Sequence, residues 1–210
     1  MELYRGEKRL AFVIRVSKAP EPADFDAKVR QKGLKYLASK GITLHAPLPP
    51  RTHIHPFWRD CFDDLYEGYN GICAYLSIRF ERVTGTSTDH YIPKSASPAL
   101  AYEWSNYRLA CLAMNAKKGT SQSVLDPFKV TNGWFRLELL TGGIYPDLEL
   151  NPDLKAPVID TIELLGLDKP ASRKIRARHF QQYIENHISQ AFLQCYSPFV
   201  YMEANRQGLL

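Results

Sequence analysis

From Pro56 onward apolar residues return every three or four positions: Phe57, Trp58, Cys61, Phe62, Leu65, Tyr66 and Tyr69. That spacing predicts an amphipathic helix with Pro56 at its start. Gly71, in Tyr69-Asn70-Gly71, suits the left-handed backbone that stops a helix. A looser stripe of Phe25, Val29, Leu34, Tyr36 and Leu37 predicts a helix over residues 24–40. Ala11 to Val16 is a short run of strand type, and Pro20-Glu21-Pro22 breaks regular structure behind it. The Pro-rich stretch from Pro47 to Pro56 reads as a connector. Residues 72–80 read as a strand or turn-strand, Thr84-Gly85-Thr86-Ser87 as a loop, and residues 106–116 as a helix with Gly119 just beyond it. Trp134 to Leu139 alternates like a strand after the turn Thr131-Asn132-Gly133. Residues 157–166 and 171–195 read as helices divided by Asp168-Lys169-Pro170. The elements predict an α+β fold that is mostly helical, without internal repeats.

Composition changes this picture little. With 45% hydrophobic and 23% charged residues, 210 residues can bury a sizeable core. A net charge of +5 suits a polyanionic partner without identifying one. No apolar stretch is long enough to span a bilayer, and the N-terminus has no apolar leader, so a cytoplasmic location is expected. Four scattered cysteines, Cys61, Cys73, Cys111 and Cys195, predict reduced thiols rather than a disulfide framework.

The chemistry concentrates in one window. Thr88-Asp89-His90-Tyr91-Ile92-Pro93-Lys94-Ser95 is followed by Asn106 and then by Cys111-Leu112-Ala113-Met114-Asn115-Ala116-Lys117-Lys118-Gly119. Carboxylate and amide oxygens suit a hard divalent cation, which neutralises a phosphodiester and assists its leaving group. A histidine can take a proton from water near neutral pH. These residue types therefore predict a metal-dependent nuclease. One difficulty is local: Asp89 and His90 are adjacent, so on an extended segment their side chains point to opposite faces.

The ordered set Cys73, Asp89-His90, Asn106, Cys111, Asn115 and Lys118-Gly119 resembles the HNH endonucleases of the ββα-metal class, over roughly residues 57–128. The resemblance implies an α+β fold in which a ββα-metal core at 57–128 lies between an N-terminal extension, 1–56, and a C-terminal strand and helical extension, 129–210. It implies that Asp89 and Asn115 ligate one Mg²⁺ or Mn²⁺ ion, His90 is the general base, and Asn106 orients the histidine and braces the loop. Ile72-Cys73-Ala74-Tyr75, His90 to Ser95, Ala101 to Asn106 and Asp160 to Leu167 further resemble the HNH subunits of bacterial Septu and retron anti-phage systems. That implies an ABC-like ATPase partner. DNA is the expected substrate, with RNA, including tRNA, as the alternative; an accessory or binding subunit controlled by the ATPase is a further reading.

The chain departs from the family pattern where the second cysteine of each knuckle should stand, because Leu76 and Met114 occupy those positions. Two thiolates do not complete a four-ligand site, so no structural zinc is expected; Cys73, Leu76, Cys111 and Met114 should form an apolar cluster instead. Lys94, Arg108, Lys117, Lys118, Arg79 and Arg82 flank the window and are candidate phosphate contacts. Lys117-Lys118 could equally complement a helix dipole. Arg173, Lys174, Arg176 and Arg178 read first as a solvated helix face, and Trp58, Phe62 and Tyr66 as core rather than a base-stacking platform.

Overall fold

A computed structural model describes residues 17–210, so the strand expected over 11–16 lies outside the described residues. The fold is α+β, with two small antiparallel sheets among several helices. At its centre β1 (Thr86–His90) pairs with β2 (Tyr107–Cys111), with Thr86 opposite Cys111 and His90 opposite Tyr107. The chain then turns directly into a short helix that packs back on the hairpin. In chain order the helices are α1 (Gln31–Ser39), α2 (Phe62–Gly68) and this α3 (Leu112–Lys118).

Here the structure corrects the helix read over 106–116. Residues 107–111 form a strand, and all five are buried. Tyr107 and Leu109 pack into one apolar cluster, with Phe25, Val29, Leu37, Leu65 and Trp104. Ala110 and Cys111 pack into a second, with Tyr75, Met114, Phe135 and Leu165. A strand covered on both faces loses the apolar–polar alternation by which strands are read, so it merges with the helix that follows.

The first cluster shows why residue types beyond apolarity matter. A π-helical turn (Asp26–Arg30) runs into α1, and Phe25, Val29, Gly33 and Leu37 fall at four-residue intervals on its buried face. Gly33 belongs to that stripe because a Cβ there would lie 2.2 Å from the Tyr102 ring. Phe57–Cys61 is a 3₁₀ turn rather than the first turn of a helix, and α2 begins at Phe62. Asn70 and Gly71 both take positive φ (51° and 70°) to end that segment. Residues 72–80 make a tight turn, bridged only between Ile72 and Arg79, with Cys73 N donating to Ile78 O.

The second cluster lies under β3 (Phe135–Glu138), paired with β4 (Gly143–Pro146), and under α4 (Pro152–Leu165), α5 (Pro170–Ile184), α6 (Gln190–Tyr196) and α7 (Pro198–Arg206). The helix read over 171–195 is two, because Asn186 turns left-handed (φ 59°) and Ser189 caps α6. The basic run on α5 is not a uniformly solvated face. Arg176 is 2% exposed and donates to Gly142 O and Leu167 O, while Arg173 pairs with Asp168.

Candidate active site

The open edge of β1 resolves the Asp89–His90 difficulty. Leu112 N donates to Gly85 O, and Tyr91 N to Asn106 O. In an antiparallel register these bonds turn the odd-numbered backbone groups of β1 toward β2 and leave the even-numbered ones on the unpaired edge. Side chains of α3 cover part of that edge: Asn115 Nδ2 lies 3.4 Å from Thr88 O, and Lys118 Nζ donates to His90 O at 2.9 Å. A cleft of about 760 Å³ runs along the edge, lined by residues 86–90, Asn115, Trp58, His53, Arg82 and Lys94 among others. Because the cleft follows the strand's rim, residues that face opposite ways, Asp89 and His90 among them, both line it.

On one face, His90 is 7% exposed and Trp58 meets its ring edge-on at 4.7 Å between centroids. His90 Nε2 lies 2.9 Å from Ala101 O. A carbonyl only accepts, so Nε2 carries the proton and Nδ1 keeps its lone pair. Burial, reinforced by the Lys94 and Lys118 charges, pushes the imidazole pKa down to about 4, so the ring is neutral at physiological pH. Asn106 sits behind this arrangement. Its Oδ1 accepts from Ile92 N, and its Nδ2 donates to Ile92 O and Leu100 O, at 2.8–3.0 Å. It therefore clamps the loop after β1 to the segment carrying the acceptor of His90.

On the other face, Asp89 is 2% exposed, accepting from the Tyr75 hydroxyl at 2.5 Å and from Lys118 Nζ at 3.0 Å. Asn115 spends its Nδ2 on Ser87 Oγ at 2.9 Å as well as Thr88 O, leaving Oδ1 as an acceptor. Thr86 and Thr88 line the cleft, and their hydroxyl oxygens are buried behind it without a hydrogen-bond partner, an arrangement that costs free energy. Among the described residues no three His, Cys, Asp or Glu side chains gather around one point. A divalent cation here would draw on the Asn115 amide oxygen, on water or substrate oxygens and on Asp89, whose two carboxylate oxygens are held by Tyr75 and Lys118.

The six candidate phosphate contacts separate sharply. Lys94 and Arg82 line the cleft, Lys94 exposed above the Trp58 ring at 5.5 Å and Arg82 paired with Asp63. Lys118, by contrast, is wholly enclosed against Asp89, and Arg108 is bound to Asp126 with 3% of its side chain exposed. As folded, neither is offered to a phosphate, which corrects the expectation for both. Arg79 stacks over Tyr196, and Lys117 reaches the C-terminal end of α4 at Gly166; neither lines the cleft.

Two features of the site escaped sequence reasoning. Trp58, read as core, is half-buried and forms the wall beside His90; its spacing placed it on the apolar side without showing that it sits at the rim. Tyr75 carried no signal, since its role depends on a turn that brings it under Asp89. The knuckle positions Cys73, Leu76, Cys111 and Met114 share one buried apolar cluster. Cys111 N donates to Cys73 Sγ at 3.3 Å, and a hydrogen bond from the Cys73 thiol lowers the pKa of Cys111 below the usual thiol value.

No family model matches the chain. It is 33% identical over 64 residues to the Septu protein PtuB of Bacillus thuringiensis, covering 30% of this chain and 25% of that protein. It is 28% identical over 133 residues to a retron Vc95 protein described as an HNH endonuclease, from Vibrio cholerae serotype O1 biovar El Tor, covering 58% of this chain and 64% of that one. The match thus spans a quarter of the first relative and under two thirds of the second. The chain is distantly related to a Septu PtuB and a retron HNH protein.

Proposed function

We propose that this chain is a metal-dependent HNH endonuclease, its hairpin and α3 forming a ββα-metal core that hydrolyses phosphodiester bonds. The observation that carries this reading is a histidine oriented by Ala101 O in a cleft that Asp89 and Asn115 also line. Asp89 and Asn115 would hold Mg²⁺ or Mn²⁺, which when bound supplies charge neutralisation at the phosphate and at the leaving oxygen. His90 Nδ1 takes the proton of the attacking water. Ala101 O holds the imidazole by Nε2–H and accepts more strongly as the ring becomes cationic. Asn106 fixes that acceptor, and Trp58 packs edge-on against the ring.

DNA is the proposed substrate. An anti-phage setting and an ABC-like ATPase partner are proposed from the resemblance to HNH subunits of Septu and retron systems, and the match to a Septu and a retron protein supports that resemblance. The test is cleavage of labelled DNA and RNA in Mg²⁺ or Mn²⁺, with the partner supplied in parallel. His90→Ala should lower the rate about 10²–10⁴-fold, and chelation should stop it. Undiminished cleavage by the variant would refute the role of His90; cleavage in excess chelator would refute the metal.

A further inference from the structure

The cleft does not end at the hairpin. Thr52 and His53, on the Pro-rich connector, line it and also line a second hollow of about 680 Å³, whose other walls include Tyr36 and Lys40 of the α1 end. Each hollow falls within the roughly 300–1,000 Å³ of pockets that enclose a small organic ligand, and a nucleotide is of that size. The two repeat one arrangement. In the first, Lys94 Nζ lies 5.5 Å from the Trp58 ring centre; in the second, Lys40 Nζ lies 5.8 Å from that of Tyr36. Asp89 is the single carboxylate lining the first hollow among the described residues, and none lines the second.

An aromatic ring under an exposed lysine that can swing onto a phosphate and uncover the ring face, repeated along a groove poor in carboxylates, fits a strand whose bases stack while its phosphates meet cations. It does not fit an intact duplex. There the bases are already stacked and paired, and rings recessed in a groove can meet them only after they leave the stack. The reactive end imposes the same condition, because His90 lies at the floor beneath Trp58 with 7% of its surface exposed. Resting on the nuclease reading of the first hollow, we infer that the substrate is an unpaired polynucleotide strand. Its scissile phosphate lies at the β1 edge, and its neighbouring nucleotides run past Thr52 and His53 to stack on Tyr36 beside Lys40.

The test is fluorescence anisotropy with the full chain in excess chelator, so that binding is read without cleavage. The probes are labelled oligo-dT, oligo-rU and a blunt DNA duplex of equal length. Unpaired strands should bind at least about tenfold more tightly than the duplex. Tyr36→Ala and Lys40→Glu should each weaken strand binding about fivefold or more and leave duplex binding unchanged. Lys40 is exposed, so its replacement tests the path even if Tyr36→Ala disturbs packing with Phe57. A stronger oligo-dT or oligo-rU signal names the sugar, and either supports the path. Duplex binding as tight as strand binding, or strand binding indifferent to both variants, overturns it. Variant-sensitive strand binding without cleavage by the native chain in Mg²⁺ or Mn²⁺ would instead refute catalysis and keep the path. Histidine-dependent cleavage with no strand preference would do the reverse.

Discussion

Replacing Lys118 with methionine tests the architecture of the site independently of catalysis. The ammonium is fully enclosed and makes two bonds, to Asp89 Oδ1 at 3.0 Å and His90 O at 2.9 Å. Methionine keeps most of the volume and removes the charge. Asp89, 2% exposed, then keeps only the Tyr75 hydroxyl as a partner, and an edge carbonyl of β1 loses its donor. Removing one partner of a buried ion pair costs about 3–5 kcal/mol, because the other charge stays behind uncompensated. With a urea dependence of about 3 kcal/mol per molar, the unfolding midpoint should fall by about 1–1.7 M. A surface lysine contacting phosphate would instead change stability by about 0.5 kcal/mol or less. The same variant reports on the cation site. If Asp89 can be reached by Mg²⁺, saturation at about a hundred times the dissociation constant returns about 2.7 kcal/mol. A midpoint shift below about 0.3 M would refute the buried pair, and a large shift that Mg²⁺ leaves untouched would refute Asp89 as a ligand.

Two further outcomes follow from groups beside it. His90 is neutral when folded down to about pH 4, whereas the unfolded imidazole protonates near 6.5. The unfolded chain therefore binds the extra proton between those values, and the stability this group contributes is complete above 6.5 and lost as pH falls toward 4. The loss is about 3 kcal/mol at 1.36 kcal/mol per pKa unit. Urea midpoints at pH 7.5 and 4, compared between native chain and His90→Gln, should show a steeper fall in the native chain; parallel falls would contradict a buried neutral ring. Thr88→Val removes a buried hydroxyl with no partner, so thermal stability without metal should hold or rise by about 1 kcal/mol. A loss of 2 kcal/mol or more would mean the hydroxyl is already satisfied.

The sequence determined a good deal by itself. The helix that begins at Phe62, its stop at Asn70-Gly71 and the strand within Trp134–Leu139 are local properties, readable because each element buries one face or needs one backbone conformation. The residue types of the candidate site were also legible, since an Asp-His pair with two later asparagines is a chemical inventory independent of geometry. Tertiary structure decided the rest. β2 was hidden because two cores cover its two faces. Lys118 and Arg108 looked like free cations, and only the packing of α3 and the Asp126 loop turned them inward onto carboxylates. Asp89 and His90 share a cleft despite facing opposite ways because β1 has an unpaired edge, and whether a strand has a neighbour is set by residues far away in the chain. Charge, in the same way, is a property of a side chain, but whether it meets solvent, substrate or a buried partner is settled by what folds over it.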